Sequence, residues 1–86
     1  MQQETVVITN ETGLHARPAT LFAQTAARFS SAITIAKGDK KVDAKSILMV
    51  LTLGAGKGSE ITITADGSDE AEAVAALVDF LKNHKE

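Results

Sequence analysis

Apolar and polar positions follow two rhythms along this chain, and the switches between them mark out its elements. Thr5-Val6-Val7-Ile8-Thr9 is a β-branched run ending at Asn10 and predicts a first strand. Ala19, Phe22, Ala23 and Ala26 then recur at i, i+3, i+4 and i+7, with Leu21 and Phe29 widening the stripe, as in an amphipathic helix. Pro18 lacks an N–H and has a preset φ, so it belongs in that helix's first turn and places the start near Leu14 to Arg17. The pattern fades at Ser30-Ser31, and Ala32-Ile33-Thr34-Ile35-Ala36 alternates as a half-buried strand does. Lys37-Gly38-Asp39-Lys40 predicts a turn into a short partner strand, Lys41-Val42-Asp43. The charges on this hairpin read as a solvated edge that discourages strand addition.

Ser46 and Gly54 bracket the apolar run Ile47-Leu48-Met49-Val50-Leu51 with N-cap and C′ signals, which predicts a short second helix. A one-sided stripe buries about half of such a run. The rest should face solvent, and Ile47, Leu48 and Leu51 are the expected contact residues. Ile61-Thr62-Ile63-Thr64-Ala65 alternates with Ile inward and Thr outward, as in an antiparallel strand with one wet face. After the turn at Asp66-Gly67-Ser68, Asp69 and Glu72 have the spacing of a capping-box variant. Val74, Leu77, Val78 and Leu81 form the buried stripe of this last helix, with Lys82 and Lys85 at the complementary end of its dipole. The order βαββαβα, with Thr-rich outer strand positions, implies an α+β open-faced sandwich: a four-stranded antiparallel sheet with three helices on one face.

Composition narrows the class. A chain of 86 residues supports one domain, expected to span residues 1–86, and without cysteine its stability rests on packing. The lack of cysteine fits the cytoplasm, and Met1-Gln2-Gln3-Glu4 has no basic segment followed by an apolar run, so no signal peptide is expected. No membrane insertion is expected either, because the apolar run from Ile47 to Leu51 is far short of a span. A net charge of −2 and only Phe22, Phe29 and Phe80 as aromatics disfavour nucleic-acid binding. Gly54-Ala55-Gly56-Lys57-Gly58 fails as a P-loop, because Gly58 stands where Ser or Thr is needed and Leu51 where Gly is needed. It fails as a dinucleotide fingerprint because Ser59 occupies the third Gly position, and it reads as a flexible connection. His84 reads as solvated in a frayed tail.

The stretch that carries chemistry is Gly13-Leu14-His15-Ala16-Arg17-Pro18-Ala19. His15 falls at or beside the N-cap of the first helix, where unpaired N–H groups and the dipole favour an anion. Neutral imidazole is a nucleophile near pH 7, Arg17 can offer a bidentate fork to phosphate, and the amides of the Ala16–Pro18 turn can hold a further oxygen. Together these form a receptacle for a phosphoryl group. On residue types alone, His15 as a simple helix cap and Arg17 as a solvated charge is an equal reading. Thr12 could add a hydroxyl to the site or serve its loop.

This stretch, together with Lys45-Ser46-Ile47-Leu48-Met49-Val50-Leu51-Thr52-Leu53-Gly54, resembles the histidine-containing phosphocarrier (HPr) family of the bacterial phosphoenolpyruvate:sugar phosphotransferase system. The likeness covers essentially the whole chain. It implies the same open-faced layout, with the starts of the first two helices close together, and a monomer without cofactor or metal. It implies a stoichiometric phosphoryl carrier rather than an enzyme: His15 is charged by phosphorylated Enzyme I and passes the group to sugar-specific IIA units. Ala16, Thr20, Ile47, Leu48 and Leu51 would form the shared docking surface, with Met49 a departure from the residues common at that position. It also implies that Ser46 is a target of HPr kinase/phosphorylase, with a carbon catabolite regulator as a further partner. Ser46 is at the same time a plain N-cap. The alternatives are a nitrogen-branch phosphotransfer paralogue and a non-catalytic carbon-regulation docking protein. The presence of His15 argues against the second, since some relatives of that kind lack the histidine. A phosphatase or metal hydrolase would need more converging acids, bases or ligands than His15 and His84 supply.

Overall fold

The computed structural model describes residues 1–8, 16–53 and 58–83, with only the backbone of residues 16–18 and 83. The elements run β1 (Gln2–Val7), α1 (Ala16–Ala27), β2 (Ala32–Lys37), β3 (Lys40–Asp43), α2 (Ile47–Thr52), β4 (Glu60–Asp66) and α3 (Glu70–Asn83). The four strands form one antiparallel sheet in the order β1-β4-β2-β3. This is the α+β open-faced sandwich, with three helices, that the alternating pattern predicts.

Register follows the apolar pattern. Val6 pairs with Ile61, Ile33 with Ala65, and Ile35 with both Ile63 and Val42, so one face of the sheet is continuous hydrocarbon. A one-residue slip would turn each of these side chains to water. The core is completed by Phe22 and its alanine neighbours on α1, by Val50 and Leu53, and by Ala73, Val74, Leu77, Val78 and Leu81 on α3. α3 lies on β1 and β4, α1 packs between α2 and α3, and α2 leans on β3. Phe22 and the half-buried Phe80 meet edge to face, with ring centroids 5.8 Å apart.

Local differences from the sequence pattern have identifiable causes. β1 begins at Gln2, not Thr5, because β4 supplies a ladder for Gln2, Gln3 and Glu4 regardless of their polarity. Leu21 is exposed, because at about 100° per residue it points away from the Ala19-Phe22-Ala23-Ala26 stripe; Phe29 does pack against the core. Lys40 is not simply solvated: its ammonium donates to the carbonyl of Thr52 at the end of α2. Thr9, the segment from Asn10 to Leu14, the run from Gly54 to Lys57, and His84 and Lys85 lie outside the described residues.

The expected Asp69–Glu72 capping box is replaced. Glu70 supplies a return bond two residues earlier, accepting from the N–H of Gly67 at 3.2 Å. Asp69 turns across to the junction between α1 and β2, accepting from the N–H groups of Ser30 (2.9 Å) and Ser31 (3.0 Å) and from the Ser31 hydroxyl. The hydroxyl of Ser31 and the N–H of Ser30 hold the Asp69 carboxyl well below the usual range, at about 2. Gly67 lies against this clasp, and a Cβ there would sit 2.6 Å from Ser31 Oγ and 2.7 Å from Ser31 Cα.

Candidate functional site

α1 begins at Ala16, within the Leu14 to Arg17 window that Pro18 predicts, so the helix opens on the residue that follows His15. Pro18 occupies the first turn, where its missing N–H removes no intrahelical bond. His15 and Thr12 lie outside the described residues, as do the side chains of Ala16, Arg17 and Pro18. Among the described residues of this helix, Thr20 is half-buried and engaged.

The second motif is described throughout up to Leu53. Ser46 has extended backbone (φ −100°, ψ 116°), and its side chain accepts from the N–H of Met49 at 3.4 Å, so it is the N-cap of α2. The Val50 N–H returns to the Ser46 carbonyl at 3.0 Å. Only Val50 of the five apolar residues from Ile47 to Leu51 is buried, fewer than the half that a one-sided stripe implies. Leu48 is 70% exposed, and Ile47, Met49 and Leu51 are 36–39% exposed. α2 is too short to be wrapped by its neighbours; it rests on α1 and β3 through one side and leaves a contiguous apolar strip in water. Ile47, Leu48 and Leu51 are exposed, and Met49 joins them.

Two lysines hold this helix in place. Lys40 grips its C-terminal carbonyl at Thr52, where a cation complements the dipole. Lys45, directly before the cap, donates to the carbonyl of Phe29 at 2.8 Å and ties the start of α2 to the far end of α1 from Ala16. Sequence reasoning missed both clips, because each joins residues distant along the chain and carries no local signal. The half-buried Ser46 hydroxyl remains at the surface of this arrangement.

Among the described residues no three His, Cys, Asp or Glu side chains gather as a metal-holding group, and no helix is long and apolar enough to cross a membrane. The described surface is an apolar helix flanked by lysines, open on the outside and adjoining α1 along its side.

Comparison with known proteins gives this arrangement a context. The family model described as the PTS HPr component phosphorylation site matches residues 2–83. HPr-C-His from Thermoanaerobacter tengcongensis is 51% identical with a TM-score of 0.92, the alignment covering 95% of this chain and 92% of that one. The phosphocarrier protein HPr from Bacillus anthracis str. Ames is 48% identical with a TM-score of 0.90, covering 93% and 95%. Crh, described as a catabolite repression protein of Bacillus subtilis seen as a domain-swapped dimer, is 42% identical with a TM-score of 0.77, covering 100% and 99%. A family match from residue 2 to 83, on a sheet order and helix placement shared with solved HPr structures, means that this chain belongs to the HPr family of phosphotransferase-system phosphocarriers.

Proposed function

We propose that this chain relays phosphoryl groups on His15, accepting them from phosphorylated Enzyme I and delivering them to sugar-specific IIA units. The observation that carries this reading is that α1 opens at Ala16, the residue after His15, with Arg17 and Pro18 in its first turn. A helix N-terminus offers amide donors and the positive end of a dipole, which favour an incoming phosphoryl group. The bond from phosphorus to the donor breaks as the bond to the imidazole, at Nδ1, forms; the reverse exchange discharges the carrier. Arg17 serves by pairing with the phosphoryl oxygens as charge spreads over them in the in-line transition state, not by holding the product tightly. A strongly stabilised phosphohistidine would stall onward transfer. The protein is in this reading a stoichiometric carrier, consumed and regenerated once per cycle.

Docking to successive partners falls to Ala16, Thr20 and the exposed strip Ile47, Leu48 and Leu51. A small apolar patch suits partners that must leave after one turnover. Ser46 is the regulatory position: a phosphate there gains from the helix dipole while adding nearly two negative charges at the edge of the docking strip. Its effect then falls on partner binding, with the fold left standing. The kinase for this site would be an HPr kinase/phosphorylase, and a carbon catabolite regulator a further partner.

The test is incubation with Enzyme I and labelled phosphoenolpyruvate. Acid-labile, base-stable label on His15 that passes to a IIA protein is the expected result, and the accepting IIA separates the sugar branch from a nitrogen branch. Arg17→Ala is expected to slow transfer with the fold intact. The likeness to Crh supports a second reading, a docking regulator without turnover. That reading predicts no label on His15, and the dimer described for Crh makes sedimentation equilibrium the check on the monomer proposed here.

A further inference from the structure

Sulfur chemistry in this chain is confined to two side chains. It has two methionines and no cysteine, so Met1 and Met49 are its only oxidisable sulfurs. They belong to opposite edges of the sheet. Met1 precedes β1 at one edge, and its ammonium pairs with Glu70 of α3 at 2.8 Å. Met49 lies in α2, which rests on α1 and on β3 at the other edge. Both are open to solvent, Met1 at 77% and Met49 at 39% exposure.

What surrounds Met49 sets it apart from Met1. It stands between Leu48 and the buried Val50, and it shares the wet apolar strip with Ile47, Leu48 and Leu51. Its backbone is held on both sides: the N–H donates to Ser46 Oγ at 3.4 Å, and the carbonyl accepts from the Thr52 hydroxyl at 2.6 Å. A chemical change at the sulfur therefore alters the surface of the strip without touching the bonds that hold the helix. The other members of the strip are hydrocarbon and offer a peroxide nothing to oxidise. Met49 alone among them is apolar when reduced and polar when oxidised.

We propose that Met49 is a reversible oxidation site, at which hydrogen peroxide turns the α2 strip from apolar to polar and weakens docking. The thioether sulfur gives up two electrons: the O–O bond breaks, one oxygen bonds to sulfur as the sulfoxide, and the other leaves as water. A sulfoxide reductase supplied with a dithiol returns the thioether and releases the oxygen as water. The sulfoxide oxygen is a strong acceptor that must shed its water before an apolar partner surface can close over it. The effect on docking rests on the phosphocarrier reading, whereas the oxidation of Met49 does not. Covering the 39% of Met49 left in water, if the residue stays apolar, favours a complex by about three- to sevenfold, and the sulfoxide forfeits at least that factor.

The experiment treats the full chain with hydrogen peroxide, removes the oxidant, and locates added oxygen by peptide mass spectrometry. Phosphoryl uptake from untreated, phosphorylated Enzyme I is then measured over a range of carrier concentrations. Oxygen is expected on Met49 as well as Met1, with KM raised about threefold or more, the rate at saturation unchanged and the circular dichroism that of the folded protein. Incubation with methionine sulfoxide reductases A and B and dithiothreitol is expected to restore KM. Met49→Leu keeps Met1 as its one sulfur, and its KM is expected to be the same before and after peroxide. Met49 left reduced while Met1 is oxidised overturns the proposal, as does a Met49 sulfoxide with unaltered KM. A loss in peroxide-treated Met49→Leu matching that of the unaltered chain also overturns it, since the damage would then lie elsewhere. So does a KM that the reductases fail to restore. Absence of label on the untreated chain removes the phosphocarrier reading itself, and with it the docking effect assigned to Met49.

Discussion

Leu48→Gln separates docking from folding at a single position. Leu48 is 70% exposed, so folding removes about three-tenths of its surface from water. Full burial of a Leu side chain is worth about 1.5–3 kcal/mol, which leaves less than about 1 kcal/mol to lose on substitution. Gln has nearly the same helix propensity as Leu and adds no further cost. The remaining seven-tenths of that surface is what a partner can cover. Covering it contributes about 1–2 kcal/mol, or roughly 5- to 30-fold in affinity. Urea denaturation followed by circular dichroism measures the first quantity, and titration calorimetry with Enzyme I and with a IIA protein measures the second. Val50→Ala is the opposite case, since Val50 is fully buried beneath the same strip. It is expected to cost about 2–3 kcal/mol of stability while the folded protein binds nearly as before. If Leu48→Gln left affinity for both partners unchanged, or lowered stability by more than about 2 kcal/mol, the assignment of this strip to docking would be wrong.

Gly67→Ala is expected to destabilise by about 1–2 kcal/mol, because overpacking against Ser31 costs about 1–3 kcal/mol and the lost chain entropy of Gly returns less than one. For a domain of this size that is a fall in Tm of roughly 4–16 °C by calorimetry, and an unchanged Tm would show that Ser31 yields freely. Ser46→Ala removes the acceptor for the Met49 N–H and is expected to cost about 1 kcal/mol in urea denaturation, whereas Ser46→Asp keeps a cap and should hold stability while weakening uptake from Enzyme I. The clasp at Asp69 makes stability depend on pH. Its folded carboxyl titrates near 2, below that of the unfolded chain, so the unfolded state binds the proton first. The contribution is complete above the ordinary carboxylate range near pH 4 and is lost as pH falls through about 2. Asp69→Asn should flatten the acid limb of a stability–pH curve within that window, and an unaltered limb would mean that another carboxyl governs it.

Much of this molecule is decided locally. The alternation in β4, the 3.6-residue stripes of α1 and α3, Pro18 in a first turn and the Ser46 cap each depend on neighbours within a few positions, so they are legible along the chain. The same holds for the start of α1 at Ala16, which Pro18 marks within two positions. Tertiary structure decides what depends on distant residues. The strand register carries Gln2 and Gln3 into the sheet despite their polarity, and Asp69 leaves its own helix to hold Ser30 and Ser31. Which side chains of α2 stay wet is decided by where α1 and β3 end, and periodicity over six residues cannot set that boundary.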